Sequence, residues 1–494
     1  METTLELLGT STLIGGALVM VSILLGLMTA RAGMPLLLIF LGVGMLAGED
    51  GIGQIVFNNH QLSFWIANIS LAIILFDGGL RTQYSTFRTA LKPAVTLATV
   101  GVVITAGVLA IAAHQLLSVP FLWALLFGAI VSSTDAAAVF ALLRNSGVRL
   151  NERVESVLEL ESGVNDPAAV FLTLLAISLL TVHPSGSMDN FGWALVWMLV
   201  KQAGLGLATA YVCARLFGRL ARLSQVDRSG NQGLNALLVA SAGMATFGLA
   251  TTIGGSGYLA IYIFGLILGN TRARYTRSIV PAMDGLAWLC QASMFLLLGL
   301  LASPTSVMQS MGSGVALALL LMFVARPLAV FPCLVFFRFT FREMVFVSWV
   351  GLRGAVPIVL AIFPVIAGVD GDKRMLDLAF MVVILSLLFQ GATVPLLAKW
   401  LGLVLPDASD SRAMRQLFGD FVLDGQASMA DVCDFYGLAP DLADASQPSI
   451  ATWMTQQLGK PPIQGDAVRA GALVLTVSEM ADGRITKVGI KQFK

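Results

Sequence analysis

The sequence predicts an all-α polytopic membrane protein of about 13 transmembrane helices, followed by a small C-terminal α+β domain in the cytoplasm. Three observations lead there. Of 494 residues, 57% are hydrophobic and only 12% are charged, whereas soluble globular chains carry about 25% charged residues. Apolar runs near the length needed to cross a bilayer, about 20 residues, recur from residue 11 to residue 398. After residue 405 the composition turns mixed and polar. The same balance excludes a water-soluble enzyme, a disordered chain and a nucleic-acid binder. A formal net charge of +1 leaves no basic excess to meet a phosphate backbone. Cys213, Cys290, Cys333 and Cys433 form no Cys-x-x-Cys pair, so neither a disulfide framework nor a resident metal or cofactor is expected.

The runs lie near 11–30, 34–48, 62–80, 93–113, 119–143, 156–182, 191–214, 234–252, 257–270, 284–302, 311–337, 344–368 and 375–398. Glu2 and Glu6 precede the first, and no Lys or Arg occurs before Arg31. A signal peptide needs a basic start, so this run reads as a retained span. Basic residues test the rest, because cytoplasmic loops collect Lys and Arg. With the N-terminus outside, Arg31, then Arg81, Arg88 and Lys92, then Arg144, Arg149 and Arg153 fall inside, and the alternation continues through Lys399. The outward loops keep only Lys373 and Arg374. The expected organisation is a membrane domain over residues 1–405, N-terminus periplasmic and C-terminus cytoplasmic, with a tail domain over 406–494. In the tail, 414–460 alternates short helical patterns with loops. Segments 471–480 and 484–490 read as strands joined by the turn signal Asp482-Gly483.

An ionisable side chain inside a span costs several kcal/mol unless paired or hydrated, which makes it a functional candidate. Asp77, Asp135, Glu161, Asp166, Arg326 and Arg353 qualify, while Lys201 and Asp377 lie near span ends and can snorkel. Asp135 follows Ser132, Ser133 and Thr134, whose hydroxyls compete for backbone hydrogen bonds. An unwound turn there would offer free carbonyls to a cation. In the run Glu161-Ser162-Gly163-Val164-Asn165-Asp166-Pro167, Ser162 and Asp166 share one helix face and Glu161 and Asn165 the next. Arg353, between Gly351, Gly354 and Pro357, marks a second break and is the natural partner for Glu161. The plainer reading is that these charges only hold helices together, and for Arg326 beside Pro327 that reading is at least as good. The two breaks fall in the fifth and twelfth runs, which point in opposite directions. Matching breaks in inverted halves, spans one to six and eight to thirteen, point to a binding site at the membrane midplane.

At these residues the chain resembles the bacterial monovalent cation:proton antiporter-1 family, the sodium or potassium–proton exchangers with an Asn-Asp motif. The likeness runs from Phe76-Asp77-Gly78-Gly79-Leu80 through Ser133-Thr134-Asp135 and Glu161–Pro167 to Gly351–Pro357. It implies thirteen helices in a homodimer, with two unwound helices crossing in each core. It implies that Asp166 carries either proton or alkali cation, with Asp135, Ser162, the Thr134 carbonyl and Asp77 as further cation ligands. Asn165 would stabilise the unwound region, and Glu161 would pair with Arg353. Gly465-Asp466-Ala467-Val468-Arg469 through Lys487-Val488-Gly489 is similar to the C-terminal domain of transporter-associated proteins, which marks the potassium/proton branch of Gram-negative inner membranes. Relatives of that branch usually insert a ligand-binding domain before it, and the stretch between Pro406 and Gly465 is too short to hold one.

The function expected is export of potassium, with sodium as the alternative, in one-for-one exchange for protons. Two rivals stand beside it. A cation channel would need a filter, and no Thr-Val-Gly-Tyr-Gly-like repeat occurs. An intramembrane serine protease at Gly254-Gly255-Ser256-Gly257 would need a histidine base in a later span, yet His60, His114 and His183 all precede it.

Overall fold

The computed structural model describes residues 2–29, 35–57, 59–82, 84–181, 191–223, 232–271, 274–369, 374–405, 421–436, 449–459, 462–471, 473–481 and 484–492. The chain is a mostly helical polytopic membrane protein with a small C-terminal sheet domain. The first half holds α1 (Glu2–Thr29), α2 (Leu36–Ala47), α3 (His60–Arg81), α4 (Tyr84–Thr96), α5 (Val102–Leu117), α6 (Phe121–Ile130), α7 (Ala136–Asn145) and α8 (Glu152–Thr181). Then come α9 (Phe191–Leu223), α10 (Gln232–Thr252), α11 (Gly257–Gly269), α12 (Arg274–Leu301) and the short α13 (Pro304–Gln309). The last group is α14 (Met311–Leu320), α15 (Arg326–Val335), α16 (Phe341–Trp349), α17 (Val356–Ile366), α18 (Arg374–Leu385) and α19 (Gly391–Trp400). Among the described residues eight helices are long and apolar enough to cross a membrane unaided. Shorter apolar helices at Leu36–Ala47, Phe121–Ile130, Gly257–Gly269 and Val356–Ile366 lie between them.

Two of the apolar runs are split. The run read at 119–143 breaks between α6 and α7, and the run at 344–368 breaks between α16 and α17. One wide π turn each at Leu97–Gly101, Leu321–Ala325 and Ser386–Gln390 joins α4 to α5, α14 to α15 and α18 to α19. Such turns are rare and gather at functional sites.

Local chemistry sets the helix starts. The Asn59 side chain accepts from the Leu62 N–H at 2.9 Å to open α3. At α16, Thr340 and Glu343 exchange side-chain and backbone hydrogen bonds at 3.3 and 2.7 Å, which satisfies two N-terminal donors at once. The glycine stretch at 254–257 is the loop between α10 and α11. Gly254 takes φ +78°, and the Ser256 hydroxyl caps α11 through the Leu259 N–H at 3.3 Å. Ser256 is the N-cap of α11.

Small residues let the helices approach. Gly265 of α11 lies against the Phe76 carbonyl and the Leu80 N–H of α3, where a methyl group would sit 2.7 and 3.2 Å from backbone atoms. Gly44 of α2 faces Gly299 and the Leu296 carbonyl of α12 in the same way.

The tail builds a four-stranded antiparallel sheet in the order β3 (Phe421–Asp424), β6 (Arg484–Gln492), β5 (Leu473–Ala481), β4 (Ala467–Ala470). Two further strands, β1 (Arg149–Leu150) and β2 (Val404–Leu405), pair between the α7–α8 connection and the chain after α19. Leu473, Leu475 and Val477 alternate onto the inner face, as a half-buried strand requires. They meet Val488 and Ile490 and the helices Met429–Tyr436 and Ile450–Leu458 around the buried Trp453, in a core separate from that of the helix bundle. The two strands expected from sequence pair with each other, and the turn residues Asp482-Gly483 lie outside the described residues. One correction concerns Phe421–Asp424, expected in a stretch where short helical patterns alternate with loops. It is an edge strand, because β6 offers it an unpaired ladder.

Close helix approach gives a direct test. Gly265→Leu forces α3 and α11 apart and is expected to cost about 1–3 kcal/mol, read as a lower melting temperature in detergent. Gly248→Ala on α10, where a methyl group meets nothing within 4 Å, is expected to leave the melting temperature level or slightly raised.

Candidate cation site

The site is built on the two broken helices. Past Ile130, Val131 and Asp135 leave helical geometry, with φ/ψ of −89°/8° and −115°/98°. The Ser132 hydroxyl turns back to the Ala129 carbonyl at 2.7 Å, the local competition its residue type invites. At the second break the backbone runs without helix from Val350 to Gly354, and Pro357 sits in the first turn of α17, where its missing N–H costs nothing.

Backbone polar groups freed at such depth need partners inside the protein. The Asp135 N–H donates to the Leu352 carbonyl at 2.8 Å, so each break closes the other. Arg353, fully buried, donates through Nη1 to the Ser132 and Ser133 carbonyls at 2.5 and 2.6 Å. Its own N–H is held by the Ser386 hydroxyl at 2.9 Å. Ser386 in turn donates to Gln390, and Gln390 to the Trp349 carbonyl, each at 2.7 Å. These last partners come from the π turn before α19. Charge follows the helix dipoles. The Arg353 guanidinium covers carbonyls beyond the C-terminal end of α6, and the Asp135 carboxyl caps α7 through the Ala138 N–H at 3.1 Å.

Helix α8 lies against the first break and locks it side chain by side chain. The Ser162 hydroxyl donates to the Thr134 carbonyl at 3.0 Å and accepts from the Ala136 N–H at 3.2 Å. The Asn165 amide donates to the Thr134 hydroxyl at 2.5 Å, and the Ser133 hydroxyl donates to the Asp166 carboxylate. Asp77, Thr134, Asp135, Ser162 and Asp166 line one cavity of about 180 Å3. Two helices and one unwound turn thus bring five oxygen-bearing side chains to one space, the donor set a hard cation prefers. Asn165, Glu161 and Arg353 stand behind that wall and do not line it.

Two expectations are corrected. The carbonyls of the first break are not free: those of Ser132 and Ser133 accept from Arg353, and that of Thr134 accepts from Ser162. Burial at this depth leaves no backbone acceptor unclaimed when a donor is in reach. Nor does Glu161 pair with Arg353. It meets Arg326 of α15 at 2.6 Å, with both side chains nearly fully buried. That contact is an ion pair without the alignment of a hydrogen bond, since neither atom satisfies hydrogen-bond geometry. Arg353 is drawn away because the two broken-turn carbonyls claim its guanidinium. Arg326, which the sequence left undecided, is the counter-ion.

Other charged groups at the cavity escaped the sequence reading. Arg81 bridges Asp77 at 2.8 Å and Asp284 of α12 at 2.7 Å. Glu159 and Arg144 share the lining, and Glu159 accepts from the Thr82 hydroxyl at 3.0 Å. Asp77 and Arg81 are four residues apart on a helix, a pairing signal that was legible. Asp284 carried none, because only the packing of α12 on α3 brings it near.

The transmembrane sodium/hydrogen exchanger family matches residues 17–400, more than half of the chain. The chain belongs to the sodium/hydrogen exchanger family. A transporter associated domain matches residues 415–494. Among relatives, the K(+)/H(+) antiporter NhaP of Alkalimonas amylolytica is 36% identical over an alignment of 581 residues, covering 99% of both chains. The K(+)/H(+) antiporter NhaP2 of Shewanella baltica is 37% identical, covering 97% of both. These alignments are longer than the 494 residues of this chain, so the relatives carry residues that it lacks. In fold, the sodium proton antiporter MjNhaP1 from Methanocaldococcus jannaschii superposes with a TM-score of 0.68 at 24% identity, over 80% of this chain and 99% of that one.

The corrected ion pair is testable by a double-mutant cycle. Glu161→Gln and Arg326→Met each leave one buried charge unmatched and are expected to cost about 3–5 kcal/mol. The double variant is expected to recover much of that loss. Thermal unfolding in detergent reads the coupling; additive losses would rule the pair out.

Proposed function

We propose that the chain is a secondary-active potassium/proton antiporter in which Asp166 holds either a proton or an alkali cation. The observation that carries the reading is the convergence of Asp166, Asp135, Asp77, Ser162 and Thr134 on one cavity, in a chain of the sodium/hydrogen exchanger family. With a cation bound, the carboxylates balance its charge, and hydroxyl and carbonyl oxygens replace its water. Ser162 has to turn its proton away from the Thr134 carbonyl, which frees both oxygens for the ion. With the cation gone, a proton neutralises Asp166, so that carboxylate is not left as a bare buried charge. Proton and cation exclude one another because they compete for the same oxygens. Asn165, which is neutral, holds the unwound turn through Thr134, and one ionisable acid per exchange makes the cycle electroneutral.

Potassium is supported by the names of relatives 36–37% identical over nearly their whole length. Sodium is the second reading, favoured by the name of the fold neighbour. No resident cofactor enters the mechanism. In the finer architecture we propose, thirteen helices fall into two inverted repeats whose unwound helices cross at the site. Residues 1–405 are the transporting domain and 406–494 the cytoplasmic one. The N-terminus is periplasmic, the protein sits as a homodimer in the bacterial inner membrane, and the core moves against the dimerising part to expose the site to each side in turn.

Inverted vesicles carrying a pH-gradient dye test this directly. Addition of potassium is expected to collapse the gradient for the wild type, and for Asp166→Asn to do no more than in empty vesicles. Persistent cation-driven proton flux in that variant would remove Asp166 from the centre of the mechanism. Potassium, sodium, rubidium and lithium compared across pH assign the ion.

A further inference from the structure

The Asp77–Arg81–Asp284 chain sits at the edge of the cation cavity, and its geometry is uneven. Arg81 lies in the last turn of α3, where the helix C-terminus favours a cation. Its Nε holds Asp77 Oδ2 at 2.8 Å, while its Nη2 holds Asp284 at 2.7 Å. The two carboxylates thus use different nitrogens of one guanidinium, and Arg81 can release one while keeping the other. Asp77 is the inner acid, with 11% of its side chain exposed, whereas 49% of the Asp284 side chain is exposed. Asp77 Oδ1 is buried and accepts no hydrogen bond. A carboxylate with one oxygen committed to a guanidinium and the other unspent is half available as a ligand. Glu159 on α8 and Arg144 on α7 also line the cavity, but Glu159 is held by Thr82 and Arg144 is exposed.

We propose that Arg81 is a built-in competitor for the transported cation: it occupies Asp77 while the site is empty and retreats onto Asp284 when the cation takes Asp77. This rests on the antiporter reading above and adds to it a residue pair that sets apparent cation affinity without touching the ion. Arg81 keeps Asp77 from standing as an unmatched buried charge between cycles. Asp284 provides the second anchor that lets the guanidinium leave without losing all its ionic contacts. The balance between the two positions fixes how much of the cation's binding is spent on displacing Arg81.

Opposite shifts follow for the two residues. Arg81→Ala frees Asp77 and is expected to lower the potassium concentration for half-maximal flux by about two- to fivefold, the size of a partly exposed ion pair. Asp284→Asn leaves Arg81 with Asp77 as its remaining carboxylate and is expected to raise that concentration by a similar factor. In the Arg81→Ala background, Asp284→Asn is expected to add nothing. The same order is expected for the potassium concentration giving half of the cation-dependent rise in melting temperature in detergent, which reads binding without transport. Arg81→Gln, which keeps length without charge, carries the same expectation should the alanine variant fold poorly.

Affinity falling in both single variants, or Asp284→Asn acting equally with and without Arg81, would reduce the chain to structural support or a general field effect and overturn the proposal. A wild type that responds to potassium while the variants behave in that way overturns this proposal alone. A wild type with no potassium response in either measurement overturns it together with the antiporter reading.

Discussion

The Asp135 N–H of one helix break donates to the Leu352 carbonyl of the other, and the rest of the core is arranged to allow it. A free N–H or carbonyl in hydrocarbon costs several kcal/mol, so a break can persist only where partners are provided. Here the Asp135 N–H takes the Leu352 carbonyl, Arg353 covers the Ser132 and Ser133 carbonyls, and the π turn at Ser386–Gln390 reaches Trp349 and the Arg353 N–H. Gly354 is part of the same constraint: a Cβ there would run into the Asp135 carboxylate. The unwound turn is therefore a rigid feature held from two other helices.

The buried charges follow from that arrangement. Arg353 and Asp135 lie against opposite helix dipole ends, and each side chain is held by backbone groups, Arg353 by the Ser132 and Ser133 carbonyls and Asp135 by the Ala138 N–H. Glu161 and Arg326 form their own pair a short distance behind the site. What remains for the cavity is acidic: Asp77, Asp135, Glu159, Asp166 and Asp284 outnumber Arg81 and Arg144 among its described lining. Such a space attracts a cation and repels an anion, and a bound cation or proton relieves the repulsion among its acids. The same electrostatics that makes the acids costly when empty makes them competent when loaded.

Short contacts hold the chain near the junction between the helices and the tail. The short β1–β2 pair joins the connection between α7 and α8, the helices that carry Asp135 and Asp166, to the chain leaving α19. Arg338, between α15 and α16 and in a left-handed conformation at φ +58°, donates to the Gly459 carbonyl at the end of a tail helix.

Composition and spacing predicted the membrane class, the order of apolar runs and the two strands of the tail hairpin, and singled out Asp77, Asp135, Glu161, Asp166, Arg326 and Arg353 as ionisable groups in apolar runs, while the ligand roles came from the family resemblance. A chain with 12% charge has few places to keep charged groups, so an acid amid apolar residues is conspicuous and its i, i+4 neighbours can be read from helix geometry. Pairings across helices were not legible. Glu161 was matched to Arg353 because both looked buried and opposite in sign, yet the choice between Arg353 and Arg326 depends on which guanidinium the broken-turn carbonyls claim. Asp284 and Glu159 were not among the sequence candidates, and only the packing of α3, α8 and α12 brings them to the cavity. Phe421–Asp424 became a strand because β6 had an open edge. Sequence carries the local terms, period, propensity and charge in an apolar run. Tertiary structure alone decides contacts between residues distant in the chain, because those are settled by competition among all the partners within reach.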